Sequence, residues 1–480
     1  MRTKTPFLLI LSAALVAVAC SSSPQAEHPD KSVAEETFMP ASTLGIPAFA
    51  PLVFRDGPTK VEVLGGSEDV QAYRIGDLKV LHKRTTANAV VAAQLYIVGG
   101  SSNLNERTAG IEQLALNVSS SGGTESTPKD TYNEKLDSIG SSIGAFSDRD
   151  YSGYALQSVV AHFDTTWDLF VQTVFEPAML QEDVELRRVR QLAEIKSLFE
   201  SPDSQVSYTA TRLLFKDHPY FQSQLGTADN VAAFSRDELR AYQRSLVAPE
   251  RMLLVVVGNI ESDDLIAKVQ SSFGRLAPTG ALPVQVPAID VKGVHRQVET
   301  RALPTNYIIG LYPAPPIGHE DYAAMLVATR HLRDRLFEEV RTKRNLTYAV
   351  SAGLGNKRAN YGLLYVTAVD PSATMPVIFA EVEKLKNESL TDNDLEEVRN
   401  VFLTSHYMNL QTNASQASLL AETHLVGGNW RLSETFLEQV RNVGPDDIQR
   451  VAKKYFQNYH FGIVGNPEAV PGELFGVKNE

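Results

Sequence analysis

The sequence predicts an α+β protein made of two homologous α/β domains, because three kinds of segment recur in the same order about 210 residues apart. The first pair is VVAAQLYIVGG (90–100) and TNYIIGLYPAP (305–315), each a β-rich run that opens its unit. The second is LQEDVELRRVRQLAEI (180–195) and LTDNDLEEVRNVFLTS (390–405), whose apolar residues follow the period of a long amphipathic helix. The third is LLVVVGNIE (253–261) and FGIVGNPE (461–468), read as buried strands that end in Gly-Asn. Each follows a helix with acidic residues in its first turn, RDELRAYQRSL or PDDIQRVAKKY. Two copies mean a duplicated domain, since stacked repeat proteins need three or more. Between them LAPTGALPVQVPAIDVKGVH (276–295), rich in Pro, Gly and Val, reads as the linker. The expected domains are therefore 56–275 and 296–480.

The N-terminal residues read as an address. Arg2 and Lys4 precede an uncharged apolar run from Phe7 to Ala19. That run is too short to span a bilayer, so residues 1–19 are expected to be a cleaved export signal. Ala17 and Ala19 lead into Cys20, the only cysteine. This resembles a bacterial lipoprotein signal, which implies lipidation at Cys20 and a place in the cell envelope, at the outer membrane facing the periplasm. A single cysteine excludes an intrachain disulfide. The polar stretch that follows lacks periodicity, and residues 20–55 are expected to be a flexible tether. The chain carries a net charge of −12, and loss of Arg2 and Lys4 with the signal makes it −14. Such a charge argues against nucleic acid as a partner.

The most informative segment is NERTAGIEQLALNVSSSGGTES (105–126). Ile111, Leu114, Ala115 and Val118 fall at i, i+3, i+4 and i+7, one apolar stripe of a helix. Gln113, Leu116 and Asn117 fall at i, i+3 and i+4 on the adjacent face. At that spacing an H-x-x-E-H helix presents two zinc-binding imidazoles one turn apart, with a carboxylate beside them as general base.

On these residues the chain resembles the pitrilysin/insulinase-type metallopeptidases (inverzincins), in particular the branch containing mitochondrial processing peptidase and its bacterial relatives. GIEQLALNV (110–118) and Gly123-Thr124 match the family's metal motif in position. Lys216 to Ile260 match the family along their length, and the likeness covers about residues 60–480. The resemblance implies mostly antiparallel sheets with flanking helices. It also places the family's third ligand, 77 positions after Asn117, on Glu194. Both ligating histidines are replaced, by Gln113 and Asn117, and the base by Leu116. Amide oxygens are poor zinc ligands and leucine moves no proton, so no catalytic residue of the motif is intact and no metal or cofactor is expected in this chain. Glu112 lies about 100° around the helix and does not replace the base. His218, His319, His331, His406 and His424 form no alternative zinc pattern.

The second half keeps what the first has lost. LFEEVRTKRNLTYAV (336–350) resembles the family's segment whose Arg and Tyr hold substrate and stabilise the developing oxyanion, here Arg341 and Tyr348. Asn345 stands where the family has glycine, and ATRHLRDRLF replaces its glycine-rich loop. The family also binds peptides by strand addition, and GSSIGAFSDRDYSGYAL (140–156) matches that edge, with Ala145, Phe146 and Ser147 on it. GSSIG also fits a serine nucleophile elbow at Ser142, but that motif needs strand, turn, helix and the flanking patterns here run the other way. The expectation is a non-zinc subunit of a two-component peptidase whose partner, of the same family, carries zinc. A non-catalytic peptide-binding or scaffold lipoprotein is the alternative, and a peptidase with a relocated metal site is a third reading.

Overall fold

A computed structural model describes residues 44–282 and 285–477 of the chain. The export signal, Cys20 and most of the expected tether lie outside these residues.

The first half opens with β1 (Val61–Gly66), β2 (Val70–Ile75), β3 (Leu78–Arg84) and β4 (Val90–Val98). Helices α1 (Ile111–Ser119) and α2 (Lys129–Ile139) precede the hairpin of β5 (Ser142–Ser147) and β6 (Tyr151–Val159). Then come α3 (Phe163–Phe175), α4 (Gln181–Glu200), α5 (Pro202–Leu214), α6 (Ala228–Ala233) and α7 (Arg236–Leu246). Strand β7 (Met252–Gly258) and α8 (Ser262–Ser271) close it. The second half runs β8 (His295–Thr300), β9 (Asn306–Pro313), α9 (Tyr322–Leu336), β10 (Val350–Leu354) and β11 (Tyr361–Ala368). It continues with α10 (Pro371–Asn387), α11 (Asp392–Asn409), α12 (Asn413–Leu425), α13 (Leu432–Arg441), α14 (Pro445–Tyr455) and β12 (His460–Gly465).

The strands form two sheets, in the orders β1-β2-β3-β7-β4-β6-β5 and β10-β11-β9-β12-β8. Every pairing is antiparallel except β3 with β7 and β8 with β12. The recurring segments occupy equivalent places: β4 and β9, β7 and β12, α4 and α11, α7 and α14. The fold is thus the mixed α/β, twice-used unit that the repeats predict.

Strands β7 and β12 are buried at every residue, so both faces of each sheet are covered. One face carries the half's own helices. The other is closed by a helix from the opposite half. Helix α5, capped by Ser201 with Pro202 in its first turn, leaves the first half and packs Val206, Ala210 and Leu214 on Ile309, Leu311 and Val464. Helix α12, capped by Thr412, packs Ala417, Leu420 and Ala421 on Leu253, Val255 and Val257. The halves therefore complete each other's cores, and the described residues hold together as one unit.

The described end of the expected tether touches the first core at a few residues, while Phe49 and Val53 stay exposed. Ile46 is buried in the first core, Leu44 and Leu52 lie against it, and Phe54 bridges to Leu276. The linker 276–295 is anchored along its length: Leu276 is buried, Val286, Ile289 and Val291 rest on the α5 core, and His295 begins β8. No helix among the described residues is long and apolar enough to cross a membrane.

Candidate functional site

Helix α1 begins at Gly110, whose φ of 93° is left-handed and whose missing Cβ would meet Leu225 O at 2.6 Å. Gly226 answers it from the crossing loop, where a Cβ would meet Ala109 O at 2.2 Å. Buried Gln191 on α4 ties the crossing together, donating to Gly110 O at 3.0 Å and Leu225 O at 2.9 Å. The stripe Ile111, Leu114, Ala115 and Val118 faces the core as the period requires.

That leaves Gln113, Leu116 and Asn117 facing a cleft of about 440 Å³, shared with Ala145, Phe146 and Ser147 of β5 and with Gln224 and Leu225. Strand β5 is the outer strand of its sheet, so the cleft runs along an open edge. Glu194 reaches this place from α4, where its Oε2 accepts a hydrogen bond from Gln113 Nε2 at 3.4 Å. The family's ligand positions are therefore brought together, but as two carboxamides, a leucine and one carboxylate. That donor set does not fit a catalytic zinc. Among the described residues no three His, Cys, Asp or Glu side chains are grouped to hold a metal.

Glu112 points the other way. It is 1% exposed, its Oε2 accepts from Tyr242 Oη at 2.6 Å, and burial pushes its carboxyl above the usual carboxylate range despite that bond. It belongs to the core between α1 and α7. Ser142 opens strand β5, without the strand-to-helix turn of a nucleophile elbow. Three of the five named histidines are occupied elsewhere: His218 accepts from Tyr220 N, His319 from Asp321 N, and His424 lies 3.1 Å from Lys79 Nζ. Burial beside that ammonium depresses the His424 imidazole to about 4.

In the second half α9 runs on into a π-turn, Phe337–Thr342, that carries Arg341. Glu339 staples this turn: its carboxylate binds Lys343 Nζ at 2.6 Å, Arg344 Nη1 at 2.6 Å and Arg335 Nη2 at 3.2 Å. The hydrogen bonds from Lys343 and Arg344 hold its carboxyl down to about 2. Arg341 stacks its guanidinium 4.9 Å from the Phe337 ring. Asn345 has φ +50°, a left-handed conformation that asparagine tolerates and glycine otherwise supplies. The departure from the family's glycine is thus conformationally conservative. Tyr348 follows, 88% exposed. Neither the Arg341 nor the Tyr348 side chain enters a hydrogen bond or ion pair among the described residues.

Sequence reasoning missed Gln224, Leu225 and, beside them, Arg149 and Arg212. They come from a loop, a turn and a helix whose meeting has no local pattern.

A fold of two such halves with a peptidase-type cleft defines a metallopeptidase-like protein. Comparison with known proteins gives the family. The pattern described as "Insulinase (Peptidase family M16)" matches residues 79–228, and that described as "Peptidase M16 inactive domain" matches residues 233–402. The chain belongs to the M16 insulinase family. An "uncharacterized zinc protease" of Mycobacterium bovis is 26% identical over 361 residues, 71% of this chain and 81% of that one. A Pseudomonas fluorescens structure described as a peptidase M16 inactive domain superposes with a TM-score of 0.73 at 18% identity, over 85% of this chain and 98% of that one. The periplasmic protease PqqL of Escherichia coli has the same fold, with a TM-score of 0.73 at 12% identity. It covers 88% of this chain but only 48% of its own length.

Proposed function

We propose that this chain is the non-zinc subunit of a two-component zinc metallopeptidase that degrades peptides or proteins in the cell envelope. One observation carries the reading. The cleft at Gln113, Leu116 and Asn117 has lost its zinc donors, while Arg341 and Tyr348 stand exposed and uncommitted. A guanidinium and a phenol supply the donors that a developing oxyanion needs, and a metal site held by a partner is where they would be used. The length of the E. coli protease supports a second unit of similar size, which a zinc-bearing partner of the same family would provide here. The lipid on Cys20 would hold the pair at the outer membrane, facing the periplasm.

The test is reconstitution with a family member that carries H-x-x-E-H. The single chain should be inert, and the pair should cleave peptides. Arg341→Ala should lower the pair's rate by about 10²-fold or more, the scale of losing one oxyanion donor. A pull-down from cell envelopes that recovers no zinc peptidase, together with unchanged proteolysis on deleting the gene, would count against the proposal. The open edge of β5 favours one other reading, a peptide-binding or scaffold lipoprotein without catalysis. Under that reading Arg341→Ala changes nothing.

A further inference from the structure

Beyond Ser147 the cleft continues into a second cavity of about 450 Å³, whose lining includes Arg149, Asp203, Arg212, Phe221, Gln224 and Leu225. Gln224 and Leu225 line both spaces, so a chain lying along β5 passes from one to the other. The two arginines of the second cavity are held by rings rather than by acids. Arg149 lies two residues past the end of β5, with its guanidinium carbon 5.3 Å from the Phe215 centroid and 5.5 Å from that of Tyr220. Its Nη1 donates to Tyr220 O at 3.4 Å. Arg212, on α5, lies 3.7 Å over Phe221 and 5.5 Å from Tyr208. Neither arginine forms an ion pair among the described residues, in a chain of net charge −12. Asp203 is the one acid in the lining, and its Oδ1 already accepts from the Tyr365 hydroxyl.

A guanidinium stacked on an aromatic face keeps its in-plane N–H donors free, and those donors match a carboxylate. We propose that this cavity is a specificity pocket for an acidic side chain, Asp or Glu, of a peptide added to the β5 edge. The proposal rests on β5 being a peptide-binding edge, but it needs neither zinc nor a partner. It assigns the substrate class: peptides with a carboxylate a short distance beyond the strand-paired residues.

Fluorescein-labelled peptides identical except for Glu, Gln or Lys at one scanned position test it, by anisotropy with the purified single chain. At one position the Glu peptide should bind about tenfold tighter than the Gln peptide and the Lys peptide weakest. Arg149→Gln and Arg212→Gln should each erase the Glu preference, so that the Glu and Gln peptides bind alike. Arg212→Glu should turn the preference toward Lys, which an unfolded variant would not do. Equal affinity of the three peptides at every position would overturn the pocket, as would a Glu preference that survives both Gln substitutions. Ala145→Pro tests the strand separately, since it removes a backbone donor and should weaken all three peptides alike. Loss of the charge preference with an intact proline effect sinks the pocket alone. A charge preference without the proline effect sinks the edge, and no binding at all sinks both.

Discussion

Gln113 and Asn117 sit one turn apart on the cleft side of α1, and Gln113 already reaches Glu194 at 3.4 Å. The first of the two replaced histidine positions is thus within hydrogen-bond reach of the carboxylate on α4. Gln113→His with Asn117→His should therefore create a zinc site with Glu194 as third ligand. Metal analysis after dialysis should find close to one zinc per chain, and Glu194→Gln in that background should remove it. A double variant that stays metal-free would mean that α1 and α4 have drifted out of ligating reach. Glu112, on the neighbouring face, has the opposite dependence on its surroundings. Its Oε2 relies on Tyr242, with Ser152 another side chain that favours its ionised form. Tyr242→Phe should destabilise the chain by about 1–3 kcal/mol, the cost of leaving a buried polar group unpaired, read as a lower unfolding midpoint in urea. Helical period alone made the orientation of both faces legible in the sequence. The role of Asn345 was not, because its residue type looks like a departure until φ +50° shows the backbone that it preserves.

Helices α5 and α12 show where elements were readable and where they were not. Neither was singled out in the sequence, and helical period cannot say against which sheet a helix packs. Each follows the long helix of its own half, and each turns out to cover the sheet of the other. The close approach has one glycine at its centre. A Cβ on Gly462 of β12 would lie 2.4 Å from Ala210 N, a backbone atom of α5 that cannot step aside without moving the helix. Gly462→Ala should cost about 1–3 kcal/mol by overpacking, and hydrogen exchange should rise first in α5 and β12. Protection unchanged in α5 would show that the helix is held by contacts other than this one. The candidate site divides the same way. Gln113, Leu116 and Asn117 were marked by helical spacing, and the strand 145–147 by what the family resemblance implies. The far wall at Gln224, Arg149 and Arg212 was not, since only the crossing of α5 and the loop after it brings those residues to the end of β5.

Across the whole molecule the two halves are joined by charge as well as by exchanged helices. Lys357 Nζ binds Asp148 Oδ2 at 2.6 Å, and Arg358 Nε binds Asp150 Oδ1 at 2.9 Å, so a loop of the second half grips the turn that follows the β5 edge. Glu422 of α12 faces this junction. It accepts from Asn356 Nδ2, lies near Tyr96, Tyr151 and Tyr322, and feels Lys357 as an attraction and Asp148 as a repulsion. Burial dominates and pushes its carboxyl from 4.5 up to about 7. The sign follows from linkage. Below about 4.5 the group is protonated in both folded and unfolded chains and costs nothing. As pH rises through about 7 the folded chain must carry a charge that the unfolded chain carries more cheaply, so stability falls across that window. Glu422→Gln removes the titration and keeps a hydrogen-bonding side chain for Asn356. Its melting temperature relative to the parent should therefore be higher at pH 8 than at pH 5, by about 2 °C or more. An equal offset at the two pH values would show that Glu422 does not carry the pH dependence. Because Asp148 directly follows Ser147, the same titration should also alter peptide affinity at β5. A neutral peptide whose affinity changes between pH 6 and pH 8 in the parent but not in Glu422→Gln would link the junction to the cleft.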